Sequence, residues 1–278
     1  MSPQFNLRIA SPETFNPAGP NLESRVERDG RLTFRGIVTD VHTGITTETT
    51  YDANQRPIRI AKRSAAGSSS ESHLDPETGK KRRLNELSRL PDGNTINREI
   101  VFLEHNRASE AVTVVGPSGT LAKIIERQHF GARTTFQGET TYDLDGNPSQ
   151  TVNQHMEHDT GALKHREHIQ WVSEGQRAMT EHFHFSDSGM LVRYSKTLHY
   201  FNAGPFSEET HEFHQISGHL MRREMVAYSP EGYQTCHDVL FYKEDGNVAE
   251  RKSTFFDSFG NPIGARSEAR EIGAGTWA

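Results

Sequence analysis

The sequence lacks the features that place a chain in the membrane or in the secretory pathway. No window approaches the roughly 18 consecutive apolar residues of a membrane span. The first eight residues, MSPQFNLR, lack the apolar stretch of a secretory signal. Cys236 is the single cysteine, so no internal disulfide can form. We therefore expect a soluble, cytoplasmic protein without a membrane partner, and leave open an export route that needs no signal sequence.

The sequence also lacks the short motifs that identify common catalytic and nucleotide-binding sites. It contains no Gly-x-Gly-x-x-Gly, no Walker-type phosphate loop and no Gly-x-Ser-x-Gly nucleophile motif. Acidic residues are abundant, but they are interspersed with Lys and Arg and suggest no carboxylate pair. The sequence therefore gives no support for an enzyme and no candidate catalytic residue.

Neither sign of charge dominates the chain. The 37 acidic and 31 basic residues give a net charge of −6 and are interspersed along the sequence. A nucleic-acid-binding protein usually carries a clear basic excess. The one basic run, Lys80–Arg83, is short enough to be the charged start of a strand. We therefore expect no nucleic-acid partner.

Apolar residues are scarce, yet the composition is not that of a disordered chain. Hydrophobic residues make up 33% of the sequence and the mean hydropathy is −0.74, which excludes a thick, dry core. The 15 Phe and 7 Tyr, together with many β-branched residues, are typical of strands and argue against disorder. These values predict an ordered β protein that buries little apolar surface.

An internal repeat about 14 residues long runs through the chain. Glycines recur within turn sequences rich in Asp, Asn and Ser, which favour hairpin connections. An aromatic residue often precedes the glycine by four positions, as in Tyr142 and Gly146, and Gln55 takes the place of the glycine after Tyr51. The regular 14-residue spacing is clearest in five glycines: Gly204, Gly218, Gly232, Gly246 and Gly260.

The repeat predicts an all-β fold. Strands joined by tight turns are antiparallel neighbours, so the expected architecture is a long antiparallel meander of strand-turn units. That many strands would form a large curved sheet or a barrel-like, partly closed structure. On the hairpin at 183–200, we expect Phe183, Phe185, Tyr194 and Leu198 to share an apolar face.

Composition also predicts how the chain is divided. Residues 1–25 contain four prolines and no alternation, which predicts an irregular N-terminal arm. Residues 26–270 form a single repetitive β domain in this interpretation, with a flexible loop at 62–73 where Ser is frequent. Residues 271–278 would form a C-terminal tail.

Several turn sequences resemble the tyrosine–aspartate, or YD/RHS, repeat. The most similar segments are TYDLDGNP at 141–148, FFDSFGNP at 255–262 and TYDANQRP at 50–57. The resemblance is local and covers about half of the chain. It implies β-hairpins strung into large curved sheets, which in the family's long members enclose a toxin and in teneurins serve as adhesive scaffolds. This chain is far shorter than shell-forming members and lacks their self-cleavage pattern, so the resemblance implies the hairpin architecture without a cargo-enclosing shell.

Histidine is concentrated in one region, because 12 of the 15 histidines lie between His129 and His237. On a strand, residues two apart share a face, as His182 and His184 do. If Trp171 and Ile169 shared the apolar face of Met179 and Phe183, His168 would lie opposite His182 on the other face. His168, His182 and His184 are therefore the predicted ligands of Zn²⁺ or Cu²⁺. The alternative is that these histidines are ordinary residues of a half-exposed sheet; no other cofactor is expected.

Regular repeats and a polar surface favour recognition over pocket chemistry. We expect a non-enzymatic binding or scaffolding protein that presents a broad β-sheet surface to a protein or carbohydrate partner, with edge strands available for homo-oligomers. The alternative is a β-barrel-like enzyme or ligand carrier, whose cavity would be lined by part of the histidine cluster.

Overall fold

The structure is a computed structural model that describes residues 23–27, 31–172, 175–200 and 204–269. It confirms the all-β class and the antiparallel meander. The chain divides into two units, Met1–Thr134 and Thr135–Ala278, and the single repetitive domain over 26–270 stays a prediction. A strand begins at Glu23, inside the predicted irregular arm. The rest of that arm, except residues 24 and 25 of the same strand, and the predicted tail at 271–278 lie outside the described residues.

The first unit is built from nine strands. Each strand pairs antiparallel with the next along the chain, so sequence neighbours are also neighbours in space. The strands are β1 (Glu23–Val26), β2 (Leu32–Thr39), β3 (Thr46–Tyr51), β4 (Pro57–Arg63), β5 (Ser69–Leu74), β6 (Lys81–Arg89), β7 (Thr95–Leu103), β8 (Arg107–Val115) and β9 (Leu121–Phe130).

The second unit continues the same pattern, and its first strand starts two residues before the unit begins. Successive strands again pair antiparallel. The strands are β10 (Arg133–Tyr142), β11 (Pro148–Met156), β12 (Leu163–Val172), β13 (Gln176–Phe185), β14 (Leu191–His199), β15 (Pro205–Phe213), β16 (Leu220–Tyr228), β17 (Gln234–Tyr242), β18 (Val248–Phe256) and β19 (Pro262–Ala269).

The aspartate of the Tyr-Asp turns closes the turn through its side chain. In the turn between β10 and β11, Asp143 Oδ1 accepts hydrogen bonds from the backbone N–H of Asp145 at 3.0 Å and of Asn147 at 2.9 Å. The Asp143 N–H in turn donates to the carbonyl of Asn147. Asp52 and Asp257 hold their turns in the same way. The recurrence of aspartate therefore has a local cause, since its short carboxylate satisfies turn N–H groups.

A change of register accompanies the aromatic residue of the repeat, as it also does the terminal residue of other strands, such as Leu74 and Met156. In six hairpins, the residue of the following strand that comes directly after the partner of the aromatic residue has no residue opposite it. The shift separates the neighbouring residues Thr50/Tyr51, Thr141/Tyr142, His184/Phe185, Ala227/Tyr228, Phe241/Tyr242 and Phe255/Phe256.

Backbone geometry at the turns confirms most of the glycine assignments. Gly232 and Gly246 have φ of 88° and 84°, in the left-handed region that glycine tolerates best. Gln55 has φ of 62°, so it does occupy the glycine position of its turn. Gly204 is the exception among the evenly spaced glycines, because its φ is not in the left-handed region.

Both units bury little side-chain surface. No side chain among the described residues is completely buried. The best-buried apolar residues are spread over five strands, which agrees with the absence of a thick core: Tyr51, Ala61, Ile100, Ile169 and Val239. The sheet is therefore held mainly by backbone pairing and by cross-strand side-chain contacts on both faces.

The predicted apolar face of the β13–β14 hairpin is present but half exposed. Phe183 lies directly opposite Tyr194, with ring centroids 5.1 Å apart. Met179 lies opposite Leu198 on the same face. Phe185 is on this face by alternation, and all of these side chains keep intermediate exposure.

The flexible loop predicted at 62–73 is wrong for most of its length. Residues 69–74 form β5, which pairs with both β4 and β6. Only the tight turn between Arg63 and Ser69 lies outside the strands. The prediction relied on the serine-rich composition, which is typical of loops. In the structure Ser72 is buried in the sheet, and Glu71 forms an ion pair with Arg59 at 2.7 Å.

No helix within the described ranges has the length and apolar character needed to cross a bilayer.

Candidate functional site

The pairing of β12 with β13 determines which histidines meet. His165 lies directly opposite His184, and Glu167 lies directly opposite His182. Directly opposed residues of antiparallel strands share a face, and residues two apart on one strand also do. These four side chains therefore lie on one face of the sheet.

His168 does not join the other two predicted ligands. It lies opposite Glu181, so it is on the face opposite to His182 and His184. There its Nδ1 is 2.9 Å from Glu181 Oε2, and its Nε2 is 2.7 Å from the side-chain nitrogen of Gln150. The predicted register that set His168 against His182 is wrong by one residue.

The cause of this error is an irregularity near the turn. The register of β12 and β13 shifts between Gln170 and Trp171. A one-residue shift moves every side chain of a strand to the other face. Ile169 consequently lies opposite Thr180, on the face opposite to Met179, and the apolar grouping assumed from the sequence does not form.

Four histidines on three neighbouring strands form a group that we call the histidine cluster: His155, His165, His182 and His184. His155 is directly opposite His165. The ring of His165 stacks on those of His184, His182 and His155, with centroid distances of 4.5, 5.4 and 5.6 Å. Phe136 of β10 extends the row, with its centroid 4.9 Å from that of His155.

Two ring nitrogens of the cluster face each other. His165 Nε2 is 3.2 Å from His182 Nδ1. Glu167 lies beside them, with Oε1 3.9 Å from His182 Nδ1. The other carboxylate oxygen of Glu167 accepts a hydrogen bond of 2.7 Å from the side-chain amide of Asn153. Glu167 is therefore oriented by a neighbour on β11.

The environment of two rings of the cluster, those of His165 and His184, favours their neutral form. Partial burial lowers the pKa of His165, and the nearby rings of His184, His182 and His155 lower it further. Burial is also the main cause of the lowered pKa of His184, followed by the charge of His182 and of Arg193. A neutral ring keeps one nitrogen lone pair available for a hydrogen or a metal.

The donors of the cluster are not already preassembled as a three-ligand metal centre. Over the described ranges, no three or more His, Cys, Asp or Glu side chains are arranged to hold a metal ion. What the arrangement offers is one close pair of nitrogens, with a carboxylate nearby. Sequence reasoning missed His155, His165 and Glu167, because only the register brings them to His182.

The opposite face of the second unit carries a row that we call the aromatic row: Phe183, Tyr194, His211 and Arg223, which are direct partners across β13 to β16. The Tyr194 hydroxyl donates to Glu181 Oε1 at 2.8 Å, and burial together with this carboxylate raises the pKa of Tyr194. Glu209 Oε1 accepts hydrogen bonds of 2.7 Å from both His211 and Arg223. The row presents aromatic and charged groups together.

The depression that the described part of the chain contains lies away from both groups. A depression of about 170 Å³ lies in the first unit, among β4 to β7, and its lining includes Lys62, Glu71 and Asn97 but no histidine. Ligand pockets typically have about 300–1,000 Å³. The histidine cluster therefore does not line this depression.

Comparison with known proteins does not assign the chain to a family. No protein-family model and no curated protein matches it. Among solved structures, TcdB2-TccC3 matches 88% of this chain at 11% identity with a TM-score of 0.24, and TcdB2-TccC3-TEV matches 84% at 10% identity with a TM-score of 0.16. The chain spans only 17% of each of those chains. A porin-like protein from Bacteroides uniformis ATCC 8492 matches 88% of this chain and 92% of its own at 10% identity, with a TM-score of 0.21.

Proposed function

We propose that this protein is a non-enzymatic binding scaffold, built from hairpins of the YD/RHS type, that presents an antiparallel β surface to a macromolecular partner. The observation that carries the proposal is the half-exposed state of both sheet faces together with the absence of completely buried side chains among the described residues. Side chains held in cross-strand rows form a broad recognition surface at little conformational cost.

The aromatic row supplies the chemistry for such recognition. Tyrosine and arginine are enriched in the residues that dominate protein interfaces. Large apolar side chains lie on the same face, with Met225 40% exposed and Phe255 45% exposed. We propose that the aromatic-row face contacts a protein or carbohydrate partner. The YD/RHS assignment is supported by the turns that the motif aspartate closes, as Asp143 does.

Photo-crosslinking on the intact chain tests this proposal. A benzoylphenylalanine placed at Met225 or at Phe255 reports on the aromatic-row face. The same residue at Leu144, which is 94% exposed in a turn, is the matched control. A glycan array probed with the labelled chain covers a carbohydrate partner.

We expect the two face positions to capture the same macromolecule, with competition by unlabelled chain and little capture at Leu144. Specific glycan binding that is lost when Tyr194 and Arg223 are replaced by Ala would equally support the proposal. Capture only at Leu144, or turnover of a small molecule with no macromolecular binding, would contradict it.

A further inference from the structure

We propose that His165 and His182 bind one divalent transition-metal ion, with Zn²⁺ or Cu²⁺ as the fitting ions and water completing the coordination shell. This site is independent of the scaffold function proposed above. It lies on the face of β12 and β13 opposite to the aromatic row, so the two proposals stand or fall separately.

The separation of the two nitrogens fits a shared ion. Two imidazole nitrogens bound at about 2.0–2.1 Å to one tetrahedral ion are roughly 3.3 Å apart. His165 Nε2 and His182 Nδ1 are 3.2 Å apart. An ion can therefore replace the direct contact between the rings with little movement of either strand.

Binding requires only a change of tautomer. The direct contact between the rings needs a hydrogen on one of the two facing nitrogens. A bound ion needs a lone pair on both, so that hydrogen moves to the other nitrogen of its own ring. The stacked ring of His184, 4.5 Å from that of His165 between centroids, limits how far the ligand ring can turn away.

Neighbouring groups complete the argument for a cation. Glu167 places a carboxylate oxygen 3.9 Å from His182 Nδ1, where its negative charge offsets that of the ion. Asn153 holds the other oxygen of that carboxylate at 2.7 Å, as outer-shell partners of metal sites commonly do.

The ligand set predicts a selectivity. Imidazole suits Zn²⁺ and Cu²⁺, and the general order of stability places Cu²⁺ above Zn²⁺ and both well above Mn²⁺. We therefore expect Cu²⁺ to bind more tightly than Zn²⁺, and Mg²⁺, which prefers oxygen ligands, to compete with neither.

Calorimetric titration of the full, tag-free chain with zinc chloride tests the site. We expect one Zn²⁺ per chain for the wild type and a loss of affinity of about tenfold or more for His165→Ala and for His182→Ala. His168→Ala is the matched control, because His168 is next to Glu167 on β12 but lies on the opposite face of the sheet. This variant should bind zinc as the wild type does. Circular dichroism and thermal melting of each variant establish that it is folded.

Spectroscopy keeps the test decisive if a variant fails to fold. In the wild type, zinc should shift the imidazole nitrogen resonances of His165 and His182 and leave those of His168 unchanged. The electron paramagnetic resonance spectrum of the Cu²⁺ complex should show coupling to two nitrogens. The proposal is overturned if the wild type binds no zinc, or if His168→Ala loses binding as fully as His182→Ala.

Discussion

Arg98 Nε donates a hydrogen bond to Glu110 Oε1 across 2.6 Å, on the same face of the adjacent strands β7 and β8. Glu110 is only 4% exposed, and it also contacts Arg127 at 3.2 Å and His129 at 3.1 Å. Burial by itself would raise the pKa of Glu110, but these hydrogen bonds and charges outweigh it and bring the pKa to about 2. The least exposed carboxylate among the described residues is thus kept ionised by three basic groups.

Replacing Glu110 by Gln should destabilise the first unit by about 3 kcal/mol at neutral pH, because the change leaves Arg98 and Arg127 without the charge they surround. Because the pKa of Glu110 is lowered on folding, its contribution is complete above about pH 4.5 and is lost as the pH falls toward about 2. Urea unfolding of wild type and Glu110→Gln at pH 7 and pH 3 measures this. The difference between the two proteins should shrink at pH 3; an unchanged difference would show that the charge of Glu110 is not what stabilises the unit.

Replacing Gln55 by Gly should stabilise the protein by roughly 1 kcal/mol. Gln55 adopts φ of 62°, where a side chain costs about 1–2 kcal/mol relative to glycine, partly offset by the greater freedom of glycine in the unfolded chain. Thermal melting of the purified variant checks the sign. A lower melting temperature would mean that the Gln55 side chain makes a compensating contribution.

Gly232 and Gly204 should respond differently to the same substitution, although they belong to the same 14-residue series. Gly232 has φ of 88°, whereas Gly204 lies outside the left-handed region and has open space where a Cβ would be added. We expect Gly232→Ala to cost about 1 kcal/mol and Gly204→Ala to cost little. Parallel denaturant titrations of the two variants make the comparison, and equal losses would contradict the turn geometry.

Replacing Asp143 by Ala should cost about 1 kcal/mol, since two backbone N–H groups of the turn lose their acceptor. Replacement of the neighbouring Asp145 is the control for loss of charge alone. Hydrogen exchange at the amides of Asp145 and Asn147 should accelerate in Asp143→Ala. If exchange there is unaffected, the carboxylate does not hold the turn.

The two tyrosines Tyr51 and Tyr242 occupy the same place in the repeat but differ in burial. Tyr51 is 5% exposed, whereas Tyr242 has intermediate exposure. Tyr51→Ala should cost about 3–5 kcal/mol, as for a buried aromatic ring, and Tyr242→Ala clearly less. Chemical denaturation of both variants measures the loss in the free energy of unfolding. A larger loss for Tyr242→Ala than for Tyr51→Ala would contradict the prediction.

Local chemistry allowed the strand-turn repeat to be predicted. Glycine accepts positive φ, aspartate satisfies turn N–H groups, and aromatic and β-branched residues favour strands. Each of these preferences acts within a few residues, so Asp143 and Gly146 favour their turn through local contacts. The all-β class and the antiparallel order of strands followed from the same signals.

The sequence by itself therefore determined the strand-turn repeats and their order, and only the tertiary structure decided which side chains share a face. A register shift of one residue beside Trp171 placed His168 against Glu181 and brought His165 to His182. Such a shift leaves composition and spacing unchanged, so no periodicity reveals it. The contact of Glu110 with Arg98 and Arg127 was hidden for the same reason, since it depends on how three strands align rather than on any segment of the chain.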